Sequence, residues 1–464
     1  MKKIILIMCS IALASCSGTK GLFSDYERPD SLNIPSELFR DTLDASKTLA
    51  SDTTNFGNTP WRQVFTDSKL QQLIEKALAE NTDIKKADIT IRQAEQGLKI
   101  SRLAFLPQVA LRPQGTISSY DFGKATKAYS IPIQASWQVD IFGTMRNAKK
   151  QSEMSLYQTR AAKQATQTAI ICAVANLYYT LEMLDEQLAT TKATATIWDK
   201  NVEAMEAMWQ AGWTNAAAVS QTKANRISIA TSIPTLENNI RQVENSLCEL
   251  IHETSHAIPR GTLAEASLPT NIGVGVPLQL LQNRPDVRAA ELQMAYAYYG
   301  VLGARGAFYP QLTLSGSAGW TNNVGMIINP AKILASAIGQ LTQPLFAQGK
   351  LRANLAIAKL QQESAQLDFE QTLLKAGNEV NDALLSYQTA QQRIGGLQQL
   401  VNELQVSVEN TEYLFRTDNT VSYLETLSAQ QSLLQAKLNL TSSQFDKIQA
   451  LISLYQALGG GKVE

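Results

Sequence analysis

The chain has 464 residues with 41 basic and 41 acidic side chains, so its formal net charge is zero, and charged residues make up only 18%. That balance excludes the clustered excess of Lys and Arg with which a nucleic-acid binder neutralises phosphates, and it excludes an acidic disordered tail. With a mean hydropathy of −0.14 and no stretch beyond the N-terminus offering the ~20 apolar residues of a spanning helix, a multi-helix transporter is excluded as well.

Residues 1–15 read as a lipoprotein signal. Lys2 and Lys3 form a basic start, residues 4–14 form an apolar core too short to span a bilayer, and Leu13-Ala14-Ser15 leads into Cys16. Small residues before a Cys resemble the bacterial pattern in which that Cys is lipidated and becomes the new N-terminus; two or more acyl chains anchor a protein stably. Ser17-Gly18-Thr19 carries no acidic run, so nothing points to display on the outer surface. Residues 16–60 are then an anchor and an extended segment. With Cys9 removed and Cys16 lipidated, Cys172 and Cys248 remain. A disulfide between them is open in an oxidising compartment; packing as two small apolar residues is the favoured reading.

The body is written twice. Phe105-Leu106-Pro107-Gln108 returns as Phe308-Tyr309-Pro310-Gln311, and Ile141-Phe142-Gly143 matches Leu345-Phe346-Ala347. The first repeat, residues 61–255, starts with a helix signalled by Leu70, Leu73, Ile74, Ala77 and Leu78 and continuing towards Ala104. Two strands follow. Tyr129, Ile131, Ile133, Ala135, Trp137, Val139 and Ile141 alternate with polar residues, and a weaker segment lies near 108–119. Next comes a rod over 145–210 and a returning helix over 217–251. A connector rich in Pro and Gly spans 256–285. The second repeat, 286–457, has a helix starting near Pro285, strands around 312–320 and 336–346, a rod over 350–415 and a returning helix over 421–457. A tail, 458–464, closes the chain.

Both rods carry heptad seams. The first reads Ile170, Val174, Leu177, Leu181, Leu184, Leu188, Thr191, Ala195, Trp198, Val202, Met205, Trp209. The second reads Phe369, Leu373, Ala376, Val380, Ala383, Tyr387, Ala390, Ile394, Leu397, Val401, Leu404, Val408. Alternating steps of four and three mark helices that supercoil on partners, and each rod is roughly 100 Å long at 1.5 Å per residue. The turns Ala211-Gly212-Trp213-Thr214-Asn215 and Thr417-Asp418-Asn419-Thr420 are the tips of two helical hairpins. The strands, apolar on one face and Ser, Thr and Gln on the other, fit a wall between lipid and a wet lumen. Four strands cannot close a channel, so that reading requires oligomerisation. The alternative on pattern alone is a soluble two-sheet sandwich.

One motif competes. His252-Glu253-Thr254-Ser255-His256 fits the zinc-protease pattern, in which two His one helical turn apart hold the metal and the Glu is the base. These are the only two histidines, no third ligand is signalled, and the segment lies where a helix is ending. Surface residues at a helix end are the favoured reading.

The motifs together resemble the outer membrane efflux duct family of the TolC/OprM type, in its lipoprotein branch. They are, in order, Tyr26-Glu27-Arg28-Pro29; Trp61-Arg62-Gln63-Val64-Phe65-Thr66-Asp67; Ala77-Leu78-Ala79-Glu80-Asn81; Asn283-Arg284-Pro285-Asp286-Val287-Arg288-Ala289-Ala290-Glu291; Pro344-Leu345-Phe346; Glu379-Val380-Asn381-Asp382-Ala383-Leu384; and Leu458-Gly459-Gly460-Gly461. The resemblance implies a mainly α fold with a membrane β-barrel: four strands per chain completing a twelve-stranded barrel in a homotrimer, and the hairpins forming a periplasmic α-barrel. It implies no cofactor, no metal and no catalysis. It implies a passive duct for small molecules such as drugs, in the outer membrane, meeting a periplasmic adaptor and a proton-driven inner-membrane pump. Gly212, Trp213, Thr214, Asp418 and Asn419 fall at the tips, where the family contacts its adaptor; Asp418-Asn419 stands where a Gly is usual. Ser428 falls near the family's acidic gate position, with Glu425 one turn earlier as the candidate charged ring. A lipid-anchored coiled-coil scaffold without a pore and a type I protein-secretion duct are the alternatives.

Overall fold

The computed structural model describes residues 20–28, 56–119, 121–266, 284–321, 332–417 and 423–461. The signal segment, Cys16, most of the 256–285 connector, Asp418 and Asn419 lie outside them. The chain divides into two compact units. One takes Met1–Asn33, Ile89–Ala161 and Arg288–Gln371; the other takes Ile34–Asp88, Ala162–Val287 and Thr372–Glu464. In chain order the helices are α1 (Trp61–Val64), α2 (Ser68–Glu80), α3 (Thr82–Leu103), α4 (Thr144–Gln210), α5 (Ala216–Leu250), α6 (Pro285–Gly306), α7 (Lys350–Thr417) and α8 (Tyr423–Ala457). The strands are β1 (Gln108–Leu111), β2 (Gln114–Ser118), β3 (Thr126–Val139), β4 (Gln311–Thr321) and β5 (Lys332–Thr342). No helix among the described residues is long and apolar enough to cross a membrane.

The first unit holds one antiparallel sheet in the order β1/β2, β3, β4, β5. β1 and β2 are one interrupted strand. Gln108 pairs with Ser136 and Gln114 with Ser130, so both pieces keep the same register on β3. The break falls where Pro132 faces Arg112: proline has no N–H to return, so that rung keeps only the bond from the Arg112 N–H to the Pro132 carbonyl, 3.0 Å. The sheet therefore has four lanes. Its sidedness is strict along β3: Ile131, Ile133 and Trp137 share a face with Trp320, Ala318 and Leu314 of β4, and Ser130, Gln134 and Ser136 share the other with Thr321, Ser317 and Ser315. Ser317 and Ser336 bond side chain to side chain at 2.8 Å on the polar face. On the apolar face Ile133 is 52% and Ile333 72% exposed.

The rest of this unit fixes the sheet to its helices. Trp137 Nε1 donates to the Phe105 carbonyl, and Phe142 stacks on Tyr309 with centroids 4.8 Å apart. The Asp140 carboxylate accepts from the Met145 and Arg146 N–H groups, capping the start of α4. Residues 26–28 strap onto α6: Arg28 makes a two-pronged pair with Glu291 at 2.8 and 2.5 Å, and the Tyr26 N–H donates to Tyr299.

The second unit is a helical core. Trp61, Phe65, Leu70 and Ile74 pack with Tyr178, Leu181, Leu247, Val380, Leu384 and Tyr455, all nearly or fully buried. The seam residues face inward as their spacing requires: Val174, Leu181, Trp198, Ala376 and Val380 are 0% exposed. Thr191, the polar residue in the first seam, is buried and donates to the Gln187 carbonyl. At the tip end the first seam lapses, and Trp209 is 50% exposed. Cys172 and Cys248 are both buried and unpaired; burial pushes the Cys172 thiol up to about 12.

Three motifs gain a physical reason. Arg284 is buried and bridges Asp286, Glu379 and the Ala457 carbonyl, joining the starts of α6 and the ends of α8 through α7. Asn81 bonds the Leu250 carbonyl and caps α3 through the Asp83 N–H. Gly459 takes the left-handed conformation that ends α8, with φ 77°, while the Gly460 N–H returns to the Tyr455 carbonyl.

Candidate gate and hairpin tips

The first tip is built by its turn chemistry. Gly212 has φ 78°, which the absence of a Cβ permits, and the Trp213 N–H reaches back to the Met208 carbonyl. Asn215 then caps α5 by accepting from the Ala218 N–H at 2.9 Å. The turn leaves Trp213 73% exposed beside the half-exposed Trp209, with Thr214 half-buried between the two helices' ends. Trp209 and Trp213 are thus both exposed at this hairpin tip.

The two hairpins are joined behind their tips. Trp198 of α4, Ile229 of α5 and Leu427 of α8 form a small buried cluster, with Tyr423 and Leu434 packed on it. Beside it runs a polar chain. The Tyr423 hydroxyl donates to the Asn201 carbonyl at 3.3 Å, Asn201 Nδ2 donates to Gln430 Oε1 at 2.6 Å, and Gln430 Nε2 donates to Glu412 Oε1 at 2.9 Å. Burial, and then the Glu412 charge, push the Tyr423 hydroxyl up to about 12, so it stays a donor. Sequence pattern gave no sign of Asn201, Gln430 or Glu412, because what unites them is the approach of three helices, not spacing along one.

Glu425 and Ser428 stand three residues apart in the first turns of α8, both exposed, while Thr426, Leu427 and Gln430 between and after them are buried. The helix thus separates a packed face from a face that presents a carboxylate and a hydroxyl. Asp418 and Asn419 lie outside the described residues.

The zinc-protease pattern does not assemble. α5 ends at Leu250, and His252 has left the helix with φ 58°. Glu253 is tied to Lys76, and His256 Nδ1 bonds the Thr254 carbonyl. The two histidines therefore share no helical face, which is the condition the chemistry requires.

A different carboxylate cluster was not signalled by the sequence. Glu182 of α4 is 2% exposed, and Asp67 and Glu265 converge with it on Gly261. The Tyr178 hydroxyl donates to Asp67 at 2.5 Å and accepts from the Gly261 N–H. Burial, and then the Asp67 charge, push the Glu182 carboxyl up to about 7.

The family model "Outer membrane efflux protein" matches residues 73–251 and 276–460. The chain is 27% identical over 463 residues to "Cation efflux system protein CusC" of Escherichia coli (strain K12), covering 99% of both. It is 25% identical to "Probable outer membrane lipoprotein SilC" of Salmonella typhimurium, covering 100% of this chain and 99% of the relative. A crystal structure of CusC superposes with a TM-score of 0.84 at 25% identity, over 94% of this chain and 99% of that one. The chain belongs to the outer membrane efflux protein family and is an outer-membrane efflux channel.

Proposed function

We propose that the chain is one third of a homotrimeric passive duct, lipid-anchored through Cys16, that carries small solutes such as drugs or metal cations out of the periplasm. The observation that supports this reading furthest is the sheet. It has an apolar face exposed along four lanes, a Ser/Thr/Gln face behind it, and, among the described residues, an edge on each side with no strand paired to it. A bilayer tolerates no open strand edge, and three copies of four lanes give the twelve that close a barrel around water. A pore-free periplasmic scaffold has no use for such a sheet. The hairpin tips, with Gly212, Trp213 and Thr214 at one and Asp418 and Asn419 at the other, meet a periplasmic adaptor. That adaptor couples the duct to a proton-driven inner-membrane pump, which selects the solute and supplies the energy. Glu425 and Ser428 line the periplasmic gate.

The test is the mass of the complex extracted in mild detergent from outer-membrane fractions, followed by conductance in planar bilayers. A conducting trimer is expected; a monomer that persists would overturn the duct. Radiolabelled palmitate should label the protein and fail to label a Cys16→Ala variant; equal labelling would overturn the anchor.

A further inference from the structure

We propose, building on the trimeric reading, that the open edge of β5 pairs with the open edge of β1–β2 of the next copy in one definite register, with Gln340 opposite the partner subunit's Gln114 and Gly339 opposite the partner subunit's Gly115.

The internal repeat supplies the ruler. In the first repeat Gln108 pairs with Ser136 and Leu111 with Ile133. In the second, Gln311 pairs with Thr342 and Leu314 with Gly339. Gln108 and Gln311 both follow the Pro of the repeated Phe-x-Pro-Gln motif, so the two ladders correspond rung for rung, and Ser136 corresponds to Thr342. Two further contacts agree. Trp137 donates its side-chain N–H to the Phe105 carbonyl at 2.9 Å, and Gln343, in the corresponding place, donates to the Phe308 carbonyl at 2.9 Å. Gly143 and Gly349, with φ 75° and 79°, stand directly ahead of the two long helices α4 and α7. Thus β5 corresponds to β3, and β4 corresponds to β1–β2.

Within the chain, β3 pairs with β4: Gln134 faces Ser317, Ile133 faces Ala318 and Ile131 faces Trp320. Putting β5 in the place of β3, and the next copy's β1–β2 in the place of β4, sets Gln340 opposite the partner subunit's Gln114, Gly339 opposite the partner subunit's Gly115, and Ala337 opposite the partner subunit's Ile117. Sidedness, which was not used in that derivation, comes out right. Ala337 and Ile117 both belong to the apolar face of the sheet, and Gln340 and Gln114 both to the polar face. A slip of one residue would set apolar against polar side chains across the whole seam. A slip of two would keep the faces, so it is the repeat that selects among the remaining registers. The occupant is a second copy of this chain, because the edge it must fit is the one this chain presents on its other side.

The test is cysteine cross-linking of the full-length protein in outer-membrane fractions. Directly opposed side chains lie ~4.5–5.5 Å apart at Cβ and diagonal ones two along ~7–8 Å apart, and a disulfide does not close beyond a Cα separation of ~7 Å. The Gln114→Cys/Gln340→Cys variant should oxidise to covalent dimer and trimer, with a ladder that stops at three chains. Gln114→Cys/Thr342→Cys and Gln114→Cys/Ile338→Cys, the two registers slipped by two, should stay monomeric on denaturing gels, as should each single variant. A trimer by mass in which a slipped pair cross-links in place of Gln114/Gln340 would overturn the register. A trimer in which none of the three pairs cross-links would overturn the edge pairing while leaving the trimer standing. A monomer by mass would instead overturn the trimeric reading itself.

Discussion

Asn201 of α4 donates its side-chain amide to Gln430 of α8 across 2.6 Å, and so ties the first hairpin to the second behind their tips. Gln430 passes the connection on to Glu412, and Tyr423 closes it onto the Asn201 backbone. A gate that opens by parting two hairpins has to break this chain. A net hydrogen bond is worth about 1 kcal/mol, and each such loss shifts a two-state equilibrium roughly fivefold. Asn201→Ala and Gln430→Ala are each expected to raise single-channel open probability about fivefold. The double variant should exceed neither by much, because both break one link. Open probability equal to wild type in both single variants, at matched protein insertion, would remove the chain from the gate.

Glu425 presents its carboxylate on the exposed side of α8, one turn before Ser428. Three copies around a threefold axis would form an acidic ring at a constriction, where cations are held and anions repelled. Glu425→Ala is expected to raise total ion conductance and to lower the preference for cations over anions, read as a reversal-potential shift across a salt gradient. Conductance and selectivity both unchanged at matched insertion would take Glu425 out of the gate.

The rods and the alternating strands were legible in the sequence, because each rests on a period, and the first hairpin turn was legible from Gly212. Heptads select helices that pack on helices, and alternation selects two-sided strands. The Arg284 motif could be recognised but not explained until Glu379 and the Ala457 carbonyl were brought to it from distant parts of the chain. The Asn201–Gln430–Glu412 chain and the Glu182 cluster were invisible for the same reason: polar side chains that meet across three elements leave no periodic trace. The interrupted β1–β2 strand was half legible. Pro113 is written in the sequence, but the rung that opens is the one where Pro132 faces Arg112, and only the register shows that.

Arg284 donates to Asp286, Glu379 and the Ala457 carbonyl, and its side chain is 8% exposed. The Asp286 and Glu379 side chains are 46% and 41% exposed and stay hydrated without it, so the loss is set mainly by the buried Ala457 carbonyl left without its donor, about 1–3 kcal/mol. Arg284→Ala is expected to destabilise the protein on that scale. Arg284→Lys should recover little, because an ammonium cannot serve Asp286 in two-pronged fashion and reach the carbonyl as well. Thermal melts of the purified variants decide it: a lysine variant as stable as wild type would show that charge alone suffices there.

Glu182 gives stability a pH dependence of unusual sign for a carboxylate. Its folded-state pKa is raised from 4.5 to about 7, by burial first and then by the Asp67 charge. The folded state therefore binds the proton more tightly than the unfolded chain does. The contribution is fully present below about pH 4.5, and it is lost progressively as pH rises through 7, amounting to roughly 3 kcal/mol at most. Most carboxylates in folded proteins act the opposite way. Glu182→Gln keeps the shape and removes the titration. The wild-type melting temperature should fall relative to that of Glu182→Gln between pH 5 and 8, with the two curves converging at the acid end. Parallel curves across that range would mean that Glu182 carries its charge in the folded protein, and that Asp67 and Glu265 lie too far away, or too well solvated, to resist it.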